Sequence, residues 1–201
     1  MKKIAIIDYG LGNLRSVIRG LEKAGANAVI TCDAEEIAAA EGLVLPGVGA
    51  FHEGMEQLGS LRKTVVEATR EVPLLGICLG MQMLLETSEE HGIHEGLGLI
   101  PGRVRRFPRN SGQKVPHMGW NSLILEMPES PLFTGFGPDE YVYFVHSYYA
   151  DTTPECTLTT TEYICPFASS VGTGKIYGVQ FHPEKSGATG LKLLKNFIEL
   201  V

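Results

Sequence analysis

A cysteine between glycines, and a histidine two residues before a glutamate, are the parts of a nucleophilic reaction centre. The chain holds both. Cys78 lies in the run Pro73-Leu74-Leu75-Gly76-Ile77-Cys78-Leu79-Gly80-Met81-Gln82, and His182-Pro183-Glu184 follows far downstream. A thiolate can attack a carbonyl carbon. An imidazole titrating near neutrality can take the thiol proton and return it to a leaving amine, while a carboxylate holds the ring in one tautomer. Taken alone, the Gly-x-Cys-x-Gly pattern also fits a buried core cysteine, a common fate of free thiols. A lone histidine is more often structural, but Pro183 stiffens the step between His182 and Glu184, which favours a base and its orienting acid.

The elements that must position these groups are visible as periodicity. The apolar run after Pro73 reads as a buried strand, and residues 79–86 carry Met81, Leu84 and Leu85 at helical spacing, so Cys78 is expected in the turn between strand and helix. A sharp turn of this kind strains the nucleophile's backbone and crowds its neighbours, which Gly76 and Gly80 permit. The helix N-terminus would favour thiolate over thiol. Ile176, Tyr177, Val179 and Phe181 form a β-prone run that ends at His182.

Further upstream, strand and helix patterns alternate. Residues 3–8 are followed by Leu14, Val17, Ile18 and Leu21 at helical spacing closed by Gly25, then by residues 28–31 and 43–45. That order implies βαβ units and a parallel sheet. After Leu99 the segments 141–149, 157–161 and 164–171 are β-rich, before a final helix with Leu191, Leu194 and Ile198 on one face. The expected fold class is α/β, a doubly wound, mostly parallel sheet flanked by helices and flavodoxin-like, with an additional antiparallel β layer in the C-terminal half. With 201 residues, 44% hydrophobic and 20% charged, one domain over 1–201 is the simplest organisation.

A net charge of -6 argues against nucleic acid as the general partner. The local basic cluster Arg103, Arg105, Arg106, Arg109 and Lys114 fits a solvated loop, or contact with a phosphate or an acidic surface. Cys32, Cys78, Cys156 and Cys165 lack paired metal-ligand spacing, and the apolar stretch after Met1-Lys2-Lys3 is too short for a signal peptide core. No run is long enough to span a bilayer. The expectation is a cytoplasmic protein with reduced thiols and no membrane partner.

With Gly-Ile-Cys-Leu-Gly-Met-Gln at the elbow and Gln180-Phe181-His182-Pro183-Glu184-Lys185-Ser186 at the base, the sequence resembles the class I glutamine amidotransferases, whose triad matches Cys78, His182 and Glu184. Three further motifs make it similar to the glutaminase subunits of imidazole glycerol phosphate synthase, from Lys3 to the C-terminal helix. They are Asp8-Tyr9-Gly10-Leu11-Gly12-Asn13-Leu14, Pro46-Gly47-Val48-Gly49-Ala50-Phe51 and Pro116-His117-Met118-Gly119-Trp120-Asn121.

The resemblance implies hydrolysis of glutamine through a glutamyl thioester, with no metal or organic cofactor. It also implies a heterodimer with a β/α-barrel cyclase subunit that receives the ammonia directly. Oxyanion donors would be the backbone amides of Val48 or Gly49 and of Leu79. Gly47 and Gly49 would let the Val48 peptide rotate, leaving the hole incomplete until the partner binds. Gly47, Gln82, Glu90, His146, Ser147 and Tyr148 would bind substrate, with Glu90 meeting the amino group and residues 146–148 the carboxylate. Gln82 and Glu90 could equally be surface residues, the Glu89-Glu90 pair a solvated helix end, and Ser147 and Tyr148 ordinary strand residues. Asn13, Arg15, His117 and Trp120 would meet the partner. The alternatives are a glutaminase serving another acceptor (pyridoxal phosphate or GMP synthesis), a cysteine hydrolase with other substrates, and a non-catalytic interaction subunit. Residues 8–13 and 117–121 speak against the first.

Overall fold

The computed structural model describes residues 2–108, 112–138 and 140–201. The N-terminal half alternates as expected: β1 (Lys3–Ile7), α1 (Leu14–Ala24), β2 (Asn27–Thr31), α2 (Ala34–Ala38), β3 (Gly42–Leu45), α3 (Phe51–Leu58), α4 (Leu61–Ala68) and β4 (Leu74–Ile77). Local chemistry sets the boundaries. The Asn13 side chain accepts the Ser16 N–H to cap α1, and Gly25, at φ 104°, closes it with its N–H on the Leu21 and Glu22 carbonyls. Asp33 caps α2 by accepting from Glu35 and Glu36.

The chain continues through α5 (Leu79–Met83), β5 (Leu85–Ser88), β6 (His94–Glu95), β7 (Ile100–Arg106), β8 (His117–Ser122), β9 (Ile124–Leu125), β10 (Tyr141–His146), β11 (Tyr148–Asp151), β12 (Thr157–Glu162), β13 (Pro166–Thr173), β14 (Ile176–Val179) and α6 (Gly187–Leu200). The main sheet runs β2-β1-β3-β4-β14-β13-β11-β7-β5-β6. Its first five strands are parallel. Along β1, Ile4 and Ile6 enter one core and Ala5 and Ile7 the other, as strand alternation requires. The first core is closed by Val17 and Leu21 of α1 with Leu193, Leu194 and Phe197 of α6. The second takes Ile37 of α2, Phe51 of α3, Val65 of α4 and Met81 of α5. Helices on both faces make the sheet doubly wound.

Three expectations change in detail. The C-terminal antiparallel strands largely extend the main sheet, because the tight Gly174-Lys175 turn, with Gly174 at φ 56°, pairs Thr173 with Ile176 and keeps β13 against β14. Only β8 and β10 form a separate small antiparallel sheet among the described residues. The β-rich segment over 141–149 breaks at Ser147, so β10 and β11 lie in different sheets. The helix expected over 79–86 stops at Met83, since the Leu84 carbonyl is taken by the N–H groups of Leu99 and Ile100 while Leu85 pairs with Ile100 in a new strand. Its dipole at Cys78 is therefore that of a helix of 5 residues.

Candidate active site

Cys78 follows the C-terminal end of β4 with φ 55° and ψ -108°, a positive φ that few non-glycine residues adopt. Its N–H donates to the Val179 carbonyl at 2.8 Å, tying the elbow to the strand that leads to His182. The flanking glycines are a steric requirement. A Cβ on Gly76 would lie 2.8 Å from the Gly80 backbone, and one on Gly80 would collide with the Leu45 carbonyl oxygen.

After β14 the chain passes Gln180 and Phe181 to His182, whose N–H donates to the Tyr143 carbonyl at 2.9 Å. The 3₁₀ turn Pro183–Lys185 folds Glu184 back on the ring, and Nδ1–H donates to Oε1 at 2.9 Å. The two side chains are only 3% and 1% exposed. The Ser186 hydroxyl, donating to the His182 carbonyl at 2.6 Å, locks the turn. Nε2 has no nitrogen or oxygen partner among the described residues and shares a pocket with the Cys78 sulfur.

The three buried histidines differ electrostatically. Burial lowers His182, but the Cys78 sulfur and the Glu184 carboxylate outweigh it and push the pKa up to about 9. Burial takes His117 down to about 4 and His146 to about 3. Imidazole NMR titration is expected to show His117 and His146 neutral at pH 6 and His182 still charged at pH 8. In Cys78→Ala, His182 should titrate lower. A wild-type His182 that titrates below neutrality would contradict this electrostatic picture.

One pocket gathers most of the residues proposed for chemistry and substrate: Val48, Gly49, Cys78, Leu79, Gln82, Glu90, His146, Tyr148 and His182 all line it. Glu184 stands behind His182. Gly47 is packed so closely against the Tyr9 hydroxyl and Leu79 that a side chain cannot fit, and its carbonyl accepts the Leu79 N–H at 3.3 Å. One expected oxyanion donor is thus already engaged. Ser147 is not on the pocket wall, and its carbonyl accepts the Phe107 N–H instead. Val145, which sequence reasoning did not single out, is on the wall.

The acidic pair is not a solvated helix end, because it follows β5. Glu90 accepts the Phe51 N–H at 2.7 Å and Glu89 the Arg106 N–H at 2.8 Å. The basic cluster is largely self-contained: Arg103 and Arg105 both reach Asp151, and Arg106 lies over the Tyr148 ring. Arg109 lies outside the described residues. The Lys114 carbonyl accepts the Tyr163 hydroxyl.

Of the residues expected to meet a partner, Asn13, Arg15 and Trp120 are exposed, Trp120 at 56%. His117 is not. Strand alternation in β8 turns Met118 and Trp120 outward and His117 inward, where it is 3% exposed and stacked between Phe144 and Tyr163. It therefore presents no surface to a partner. Among the described residues no His, Cys, Asp and Glu cluster could hold a metal ion, and no helix is long and apolar enough to cross a membrane. All four cysteines are free thiols.

The sequence profile of the family "Glutamine amidotransferase class-I" matches residues 5–200. The chain is 56% identical over 203 residues to imidazole glycerol phosphate synthase subunit HisH of Methanosarcina mazei, with 100% of both chains covered. It is 48% identical to the protein of that name in Archaeoglobus fulgidus, with 98% of each covered. Among solved structures, a putative GMP synthase subunit of Thermoplasma acidophilum superposes with a TM-score of 0.77 at 24% identity, covering 100% of this chain and 94% of that one. PurLQS of Thermotoga maritima gives 0.75 at 18%, covering 99% of each chain. These two likenesses speak for the fold alone, whereas the full-length identities decide membership. The chain belongs to the class I glutamine amidotransferase family, within the group named imidazole glycerol phosphate synthase subunit HisH.

Proposed function

We propose that this single-domain chain is the glutaminase subunit of an imidazole glycerol phosphate synthase and acts in the cytoplasm. The observation that carries the proposal is the meeting, in one pocket, of a cysteine on a strained elbow with a histidine whose other nitrogen is held by a buried glutamate at 2.9 Å.

The Cys78 sulfur attacks the side-chain amide carbon of glutamine. The C–N bond breaks as His182 passes its Nε2 proton to the leaving nitrogen, releasing ammonia and leaving a γ-glutamyl thioester. His182, now neutral, takes a proton from water, which attacks the thioester carbon. The C–S bond breaks, giving glutamate and restoring the sulfur. Glu184 fixes the tautomer that aims Nε2 at the reacting atoms. Gln82 and Glu90 hold the substrate from α5 and from the turn after β5, with His146 and Tyr148 on the wall that takes its carboxylate. The Leu79 N–H and an amide from Val48 or Gly49 receive the tetrahedral oxyanion once the Gly47 carbonyl lets Leu79 go.

Free ammonia would be mostly protonated in neutral water and no longer nucleophilic, so it passes directly to a cyclase subunit in a heterodimer. There it serves the formation of imidazole glycerol phosphate and an aminoimidazole carboxamide ribonucleotide. The exposed Trp120 and Met118 of β8, with Asn13 and Arg15, supply the docking face. With a cyclase and its nucleotide substrate present, the purified chain is expected to release glutamate and ammonia from glutamine in equal amounts. Failure to release glutamate in that complete mixture would refute the reading.

A further inference from the structure

Gln180 plays no part in the triad, yet it is fully buried beside the nucleophile. Its Nε2 lies 3.6 Å from Cys78 Sγ in hydrogen-bond geometry, while its Oε1 accepts Gln82 Nε2 at 3.0 Å. Its backbone N–H bonds the Ser169 carbonyl of β13, fixing where the side chain starts.

The direction of these bonds follows from one atom. The Tyr148 carbonyl oxygen can only accept, and it receives two donors, His146 Nδ1 at 2.8 Å and Gln82 Nε2 at 3.1 Å. Gln82 therefore turns its NH₂ group to Tyr148 and to Gln180 together. Gln180 must answer with its carbonyl, which leaves its own NH₂ facing the sulfur. On the other branch, a proton on His146 Nδ1 makes Nε2 the acceptor for His117 Nδ1 at 3.0 Å, and His117 Nε2 then accepts Asn121 Nδ2 at 3.3 Å. The far end agrees independently. Asn121 is oriented by giving Nδ2 to the Glu162 carbonyl at 2.9 Å and taking the Ser122 N–H on Oδ1 at 2.9 Å. Neutral imidazoles are required throughout, and burial keeps His117 and His146 uncharged.

We propose that Gln180 is a dedicated hydrogen-bond donor to the Cys78 sulfur, with its polarity set by the Tyr148 carbonyl through Gln82, and that it favours the anionic nucleophile over the thiol. An anionic sulfur accepts a hydrogen bond more strongly than a neutral one, so the contact acts differentially on the two forms. The other titratable groups around the sulfur are Tyr9, Glu90, His146 and His182, with Glu184 behind. The Tyr9 hydroxyl is spent on the Pro46 carbonyl, which leaves His182 and Gln180, of the neighbours named, to donate to the sulfur.

The proposal deepens the glutaminase reading, and its test does not require glutamine. In Gln180→Glu the bond from Gln82 is kept and the donor to sulfur is lost. In Gln180→Met the donor is lost without added charge. Both are expected to slow iodoacetamide alkylation of Cys78 at neutral pH by about tenfold, the size of one hydrogen bond to a charged acceptor, with unchanged rates at Cys32, Cys156 and Cys165. The kcat for glutamine should fall by a similar factor with little change in KM. Wild-type alkylation rates at Cys78 in folded Gln180→Met would overturn the proposal while leaving the triad reading intact.

Should the variants fail to fold, ¹⁵N-glutamine labelling of the otherwise native chain decides. One of its side-chain amides is expected to shift between wild type and Cys78→Ala. Unchanged positions for all of them would overturn the donor role.

Discussion

Cys78→Ala is expected to abolish glutamine hydrolysis while ammonia-supported cyclase turnover survives in the complex. In the proposed mechanism all the covalent chemistry runs through one sulfur, so its removal leaves only positioning and electrostatics, and losses of about 10⁴-fold or more in kcat are the rule for triad nucleophiles. The fold has little reason to fail. An alanine fits where cysteine sat, the elbow's N–H still bonds Val179, and the glycines that make room for the turn are unchanged. The surface carrying Trp120 and Met118 is untouched, so partner affinity should hold. Glutamate release, ammonia-driven turnover and a binding titration on the same preparation check the three statements separately. Undiminished glutamine hydrolysis in purified Cys78→Ala protein would sink the triad assignment.

The second large effect concerns the partner. In the structure the Leu79 N–H, one of the two donors proposed for the oxyanion, is spent on the Gly47 carbonyl at 3.3 Å. The loop carrying that carbonyl is anchored by the Tyr9 hydroxyl donating to Pro46 at 2.7 Å, and it holds Gly49 at φ 111°, where L side chains are strained. The isolated chain should therefore turn over slowly. Adding the cyclase with its nucleotide ligand should raise kcat by about a hundredfold or more, the usual worth of one oxyanion donor, with a much smaller change in KM, because these donors act on the transition state. Steady-state kinetics with and without the liganded partner measure it. An isolated chain as fast as the complex would refute partner-gated assembly of the site and leave the triad untouched.

The elbow and the His182–Glu184 turn were legible in the sequence because glycine and proline mark them. Gly76 and Gly80 are needed where backbones touch, and Pro183 begins the turn that returns Glu184 to His182. Parallel βαβ order was legible for the same reason, through the Gly25 cap and the apolar runs of β1, β3 and β4. What was not legible depends on three-dimensional partners. The helix after Cys78 has the right spacing to continue, and only the claim of Leu99 and Ile100 on the Leu84 carbonyl ends it. His117 sits in a motif beside Trp120, and its inward direction follows from the register of β8 against β10, a long-range pairing that no local pattern encodes. Gln180 entered the sequence reading only as the first residue of the motif around His182. Its meaning depends on Gln82 and Tyr148 from distant segments.

Treatment with an electrophilic glutamine analogue, followed by peptide mass mapping, reads out whether Cys78 is the nucleophile. The thiols differ in setting: Cys32 is exposed, Cys165 half-buried, Cys156 buried, and Cys78 alone among them faces the pocket beside His182. If reactivity and not access governs labelling, Cys78 is modified and the exposed Cys32 is spared, with loss of glutaminase activity in proportion to labelling. Equal labelling of all four cysteines, or inactivation with Cys78 unmodified, would contradict it.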